Sequence, residues 1–102
     1  MAKHKIGSLN ELFEGKVLST IVDDEKIGVT IIDDKVYAFK DVCTHDNAPL
    51  DQGVMEGNVI TCPRHGAKFD VTTGAALGLP AVVPINTYKV FLEGMDLYIK
   101  TG

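Results

Sequence analysis

The chain has 102 residues, 45% hydrophobic and 24% charged, with a formal net charge of −4. That is one domain, too apolar to stay disordered and able to bury roughly two-thirds of its unfolded surface. No clustered Lys/Arg face invites nucleic acid, no apolar run approaches the ~20 residues of a membrane span, and residues 1–15 lack the continuous apolar stretch of a signal peptide. A soluble cytoplasmic protein is expected.

Residues 3–7 predict a first strand, and His4 within the polar N-terminal segment reads as solvated. Ser8-Leu9-Asn10-Glu11 has the S-x-x-E spacing of a capping box, so either one helical turn ending by Gly15 or a plain loop follows. From Lys16 the pattern turns β. Residues 17–22, 27–32 and 36–39 are rich in β-branched and aromatic side chains, with Asp23-Asp24 and Asp33-Asp34 between them as tight antiparallel connections. Gly28 marks either a bulge or a neighbour packed close against bare backbone.

Residues 41–80 differ in character, being rich in Gly, Asp, Asn, Pro and Thr; only 59–61 and 68–71 read as strand, and Met55-Glu56-Gly57-Asn58 reads as a turn. A stretch so poor in regular apolar pattern needs order from elsewhere. Cys43-Thr44-His45 and Cys62-Pro63-Arg64-His65, sixteen residues apart, hold both cysteines and two of the three histidines. One Cys-His pair on each of two loops makes four donors for a metal, whose ligand bonds would then be folding free energy. Three other readings stand beside a two-iron cluster: a disulfide, two buried thiols, or a mononuclear Cys₂His₂ zinc site. Structural zinc sites usually group their cysteines and their histidines separately. Thiols used as ligands leave none for disulfides, which fits a reducing compartment.

After Pro80 the β pattern resumes. Residues 85–92 alternate as one strand, Glu93-Gly94-Met95-Asp96 forms a hairpin turn, and 97–99 close the chain. The prediction is an all-β protein: a base from residues 1–40 and 81–102, with a subdomain, residues 41–80, inserted between them. The Tyr and Phe residues of the base strands read as core.

The two motifs, C-T-H and C-P-R-H-G-A-K-F-D, together with Asn47-Ala48-Pro49-Leu50-Asp51-Gln52-Gly53 and Thr73-Gly74, resemble a Rieske-type [2Fe–2S] ferredoxin. The resemblance implies an antiparallel β-sandwich or barrel base and a cluster with Cys43 and Cys62 on one iron and His45 and His65 on the other. Such a cluster is neutral when oxidised, whereas four thiolates would leave it doubly negative, so His ligation raises the potential to about −150 to +300 mV. Ala48 and Arg64 stand where the high-potential branch has a disulfide, and Ala67 and Phe69 where it has hydroxyl donors to sulfur. The low-potential class is therefore expected. In the family the His-ligated iron faces solvent, which makes His45 and His65 the exit for the electron, and Pro80 resembles the proline of a covering loop or serves as a rigid linker.

Arg64 and Lys68 are either partner contacts or a solvated face, Asp46 either supports His45 or makes a turn, and Asp70 is a candidate for loop hydrogen bonding. The resemblance implies a carrier, not a catalyst, that takes electrons from a flavin-dependent reductase and passes them to a terminal oxygenase. A small subunit of a larger oxidoreductase, such as a nitrite reductase, and a zinc-stabilised interaction module are the alternatives.

Overall fold

The computed structural model describes residues 2–44, 48–64, 66–79 and 82–101. The N-terminal strand β1 (Ala2–Ser8) leads into a 3-10 turn, Leu9–Glu11. Three strands follow in a meander: β2 (Leu18–Val22), β3 (Glu25–Ile32) and β4 (Lys35–Lys40). Short strands β5 (Val54–Glu56), β6 (Val59–Thr61), β7 (Lys68–Asp70) and β8 (Ala76–Gly78) come next. Then come β9 (Thr87–Tyr88), β10 (Val90–Glu93) and β11 (Asp96–Thr101).

These strands make three antiparallel sheets, ordered β1-β11-β10, β2-β3-β4-β9 and β5-β6-β7-β8. The all-β class expected from the sequence is what the chain adopts. Asp23-Asp24 and Asp33-Asp34 turn the meander with φ of 50° and 67° at each pair, the left-handed conformation that two-residue type I′ hairpins demand. Aspartate tolerates that region better than most residues, and both turns use it twice.

The β2-β3-β4-β9 sheet is the middle layer, and its side chains alternate between two cores. Ile27, Val29 and Ala38 point to one, where they meet Ile6, Val22, Leu97 and Ile99. Phe39 points to the other, among Cys43, Leu50, Ile60, Cys62 and Phe69. A strand covered on both faces has no polar side, which explains why residues 27–30 of β3 are buried in succession instead of alternately.

Gly28 lies opposite Phe39 in the β3–β4 ladder, with no register shift on either side. A Cβ at Gly28 would sit 2.5 Å from the Phe39 ring. Of the two readings of Gly28, the close neighbour is right and the bulge is wrong.

Several expectations need correcting. The helical turn ends at Glu11, short of Gly15, and Leu12 is already extended (φ −94°, ψ 142°). The chain straightens there because Leu12 packs on the core behind β3 and Glu14 bridges Ile31. The Glu11 carboxylate does accept the Ser8 amide at 2.7 Å, the acidic half of a capping box. Residues 85–92 are not one strand: β9 pairs with β4, and β10 pairs with β11 in a different sheet. The chain crosses from layer to layer at Lys89, and the buried face changes from the side of Ile85 to that of Tyr88 and Val90.

His4 is no tail residue either. It pairs with Ile99 in the sheet, and its Nε2 lies 3.4 Å from an Asp23 carboxylate oxygen. Of the base aromatics Phe39 is fully buried. Tyr98 and Phe91 are only half-buried, beneath the ammonium groups of Lys3 (4.4 Å) and Lys100 (4.6 Å), where their ring faces meet positive charge.

Substituting Gly28→Ala forces a methyl group into the Phe39 ring, which is itself fully buried. The variant is expected to lose about 1–3 kcal/mol of stability, read as a lower midpoint in denaturant unfolding. An unchanged midpoint would mean the ring can move aside.

Candidate metal centre

The segment after β4 is better ordered than its composition suggests. Val54–Glu56 is strand, not turn; the turn is Gly57-Asn58 alone, with Gly57 at φ 60° as the first residue of a tight hairpin. With Ala76–Gly78 added, four strands form where the sequence pattern showed two. Leu50, Ile60, Ala67, Phe69 and Val71 are each fully buried. A buried cluster thus forms here, shared with Phe39 and Ile85, from apolar residues that are scattered singly among loops and converge only in space.

Cys43 and Cys62 belong to that core, 0% and 1% exposed, and form no disulfide. Each opens a loop closed by the same bond. The Cys43 amide donates to the Ala48 carbonyl and the Cys62 amide donates to the Ala67 carbonyl, both at 2.7 Å and both across five residues. The loops thus share one construction, with a buried thiol at the start of each. His45 and His65, along with Asp46, fall inside these loops but outside the described residues, as does Pro80.

The loops are pinned to their surroundings. Gly53 presses against the strand that delivers Cys62, so that a Cβ there would lie 2.0 Å from the Thr61 carbonyl oxygen. Thr44 donates its hydroxyl to the Val83 carbonyl at 2.6 Å, tying the first loop to the segment returning from Pro80. The Ile85 amide donates to Gly74 O at 2.8 Å on the same return path. Leu79, Val82 and Val83 in this region are 86, 70 and 54% exposed.

Two carboxylates do the polar work. Asp70 accepts the amide (2.9 Å) and hydroxyl (2.6 Å) of Thr72 on one oxygen and the Asn58 side-chain amide (2.9 Å) on the other. Partial burial pushes its pKa up, but these donors outweigh burial and hold it below the usual carboxylate value. The loop-bonding role expected for Asp70 is the one it has. Lys68 is exposed and donates to the Thr61 hydroxyl at 2.9 Å; Arg64 is exposed as well.

Asp41 is the residue that sequence reasoning missed. It is fully buried, and its Oδ1 accepts the amides of Leu50 and Asp51, both at 2.7 Å. Its Oδ2 takes the Ser19 hydroxyl at 3.2 Å and lies 3.8 Å from the Lys26 ammonium, which also reaches Asp51 at 3.4 Å. Burial, then the neighbouring Asp51 carboxylate, push the Asp41 pKa up. Burial also pushes Asp51 up, but bonds from Asp41, Gln52 and Lys26 prevail and lower it. An aspartate directly before a cysteine-bearing loop was the available signal, but nothing in the sequence distinguishes it from the chain's other aspartates.

The donor chemistry fits the group the sequence implies. Two thiols sit out of water at equivalent places in matched loops, and each loop carries a histidine in its sequence. One soft and one borderline donor per loop suit a [2Fe–2S] cluster split between two sulfur and two nitrogen ligands.

Comparison with known proteins agrees. The Rieske [2Fe–2S] domain matches residues 2–89. The ferredoxin component of biphenyl 2,3-dioxygenase from Rhodococcus jostii is 39% identical over 99 residues, covering 97% of this chain and 92% of that protein. The ferredoxin of carbazole 1,9a-dioxygenase from Nocardioides aromaticivorans superposes with a TM-score of 0.91 at 34% identity, covering 97% of each chain. A chain in a complex of reduced oxygenase and oxidised ferredoxin of carbazole 1,9a-dioxygenase matches with a TM-score of 0.88 at 31% identity, over 95% of this chain and 91% of that one.

Asp70 stabilises the fold as a carboxylate. Its pKa is lowered on folding, so the contribution is complete above the ordinary aspartate pKa of about 3.9 and is lost as pH falls through the lower folded value. Asp70→Ala should cost about 2 kcal/mol near neutrality. The gap in thermal midpoint between wild type and variant should close as scans are taken to lower pH, and a gap independent of pH would contradict this.

Proposed function

The chain belongs to the Rieske [2Fe–2S] domain family, and on that premise we propose that it is a one-electron carrier working between a flavin-dependent reductase and a terminal oxygenase. Its cofactor is a [2Fe–2S] cluster, which supplies reversible uptake of a single electron. The observation that carries the reading is the pair of matched loops, each opening on a buried thiol. We assign Cys43 and Cys62 to one iron and His45 and His65 to the other.

The residues around the loops serve that role. Ala67 and Phe69, fully buried beside the second loop, bring no side-chain donor toward the sulfurs, which disfavours the extra electron. The Thr44–Val83 bond keeps the return segment against the first loop, and exposed Leu79, Val82 and Val83 give that rim an apolar contact surface. The partner assignment follows the names of the relatives, which are ferredoxin components of dioxygenase systems, one of them in complex with its oxygenase.

The same reading makes the chain an accessory protein with no reaction of its own, in a reducing cytoplasm where its two thiols stay available as ligands. No described helix is long and apolar enough to cross a membrane. It also divides the chain into a base, residues 1–40 and 81–102, and a cluster-binding unit, residues 41–80. The β5-β6-β7-β8 sheet, whose strands pair only with one another among the described strands, supports that division.

Two measurements test the proposal. The purified protein should be red-brown, contain iron and acid-labile sulfide, and give a low-average-g EPR signal after dithionite; a colourless zinc protein would end this reading. The midpoint potential should lie toward the bottom of the Rieske range of about −150 to +300 mV and fall as pH rises, because the oxidised cluster makes the outer N–H of each ligand histidine more acidic. A midpoint well above zero, or one flat into alkaline pH, would count against it. Replacing a histidine ligand, His65→Cys, should lower the potential and weaken its pH dependence.

A further inference from the structure

The two ligand loops are closed alike but held differently. The second lies between β6 and β7, which are hydrogen-bonded to each other on either side of it, from Val59↔Asp70 to Thr61↔Lys68. Two residues before Cys62 stands Ile60, a fully buried strand residue paired with both Met55 and Phe69. The first loop has no such ladder, since no strand occurs among the described residues of 41–53. Two residues before Cys43 stands Asp41, whose Oδ1 takes the amides of Leu50 and Asp51 at 2.7 Å each.

We propose that Asp41 is the positioning residue of the first ligand loop, its buried Oδ1 substituting for the missing strand neighbour. The inference rests on the assignment of Cys43, His45, Cys62 and His65 as ligands. The geometry makes Asp41 a bridge between layers. Its own amide donates to Lys26 O at 2.9 Å and its Oδ2 takes the Ser19 hydroxyl, so the base grips one side of the residue. The returning arm of the loop hangs from the other oxygen. Leu50, fully buried in the core that holds both cysteines, is thereby fixed through its backbone as well as its side chain. One buried amide, at Leu50, and one partly buried, at Asp51, would be left unsatisfied by removing the acceptor.

What the clamp needs is an oxygen facing two N–H groups, not a negative charge, and this separates two substitutions. Asp41→Asn keeps an oxygen for Leu50 and Asp51, its NH₂ can donate to the Ser19 hydroxyl, and Lys26 retains Asp51. Asp41→Ala removes the acceptor outright.

The experiment is hydrogen exchange by mass spectrometry on the cluster-loaded protein, reading segments 42–53 and 59–70 separately. It is paired with the rate of cluster bleaching under an iron chelator. Asp41→Asn should leave both segments protected and bleaching within about twofold of wild type, whereas Asp41→Ala should expose 42–53 alone and bleach at least about tenfold faster. Wild-type behaviour in Asp41→Ala, equal loss of protection in both segments, or loss of 42–53 in Asp41→Asn overturns the clamp. Should Asp41→Ala not fold, the Asp41→Asn result decides by itself. A wild-type protein without iron and sulfide would refute the ligand assignment instead, and the contrast between the two segments would still judge Asp41.

Discussion

Two short backbone hydrogen bonds, from Cys43 to Ala48 and from Cys62 to Ala67, are the constraint on which the arrangement depends. Each draws six residues into a tight loop that begins with a buried sulfur. The two bonds have the same span and length, so the loops open and close alike, although their sequences agree at little more than the cysteine and the closing alanine. A small residue suits the closing position: Ala48 and Ala67 are both buried in the core that contains the thiols. A larger side chain there would compete with the space in which the sulfurs lie.

That geometry is positioned by the middle sheet. β4 sends Ala38 to one core and Phe39 to the other, then ends at Lys40, immediately before Asp41 and the first loop. Position along β4 therefore fixes where the loop starts, and Phe39 seated over Gly28 fixes the register of β4 against β3. A ring packed on a glycine at the back of the site thus helps aim a cysteine at the front. Local strand pairing, core packing and the donor set agree with one another, which is the condition under which a sequence specifies a single structure.

Much of this was legible in the residues. The two Cys-His motifs marked the loops that open at Cys43 and Cys62, and the Asp-Asp pairs announced the hairpins, since few residues other than glycine, asparagine and aspartate accept positive φ. The small sheet of residues 54–78 was only half legible: β6 and β7 read as strand, but β5 and β8 did not, because three-residue strands are too short for a period of two to declare itself. Nor was the crossing at Lys89, where alternation continues through the corner while the sheet it belongs to changes. His4 looked like a tail residue because its strand partner, Ile99, lies at the far end of the chain. Asp41 was invisible for a different reason: a buried carboxylate is recognised by the amides around it, and those belong to residues nine and ten positions later.

The two cores lie on opposite faces of one sheet and share no side chain in their buried sets. They are joined by the backbone of that sheet and by polar side-chain bridges such as Ser19 and Lys26 to Asp41, so a disturbance on one face need not melt the other. A change that loosens the packing around the thiols can accordingly spare the platform that Ile6, Leu97 and Ile99 build on the far side of the sheet.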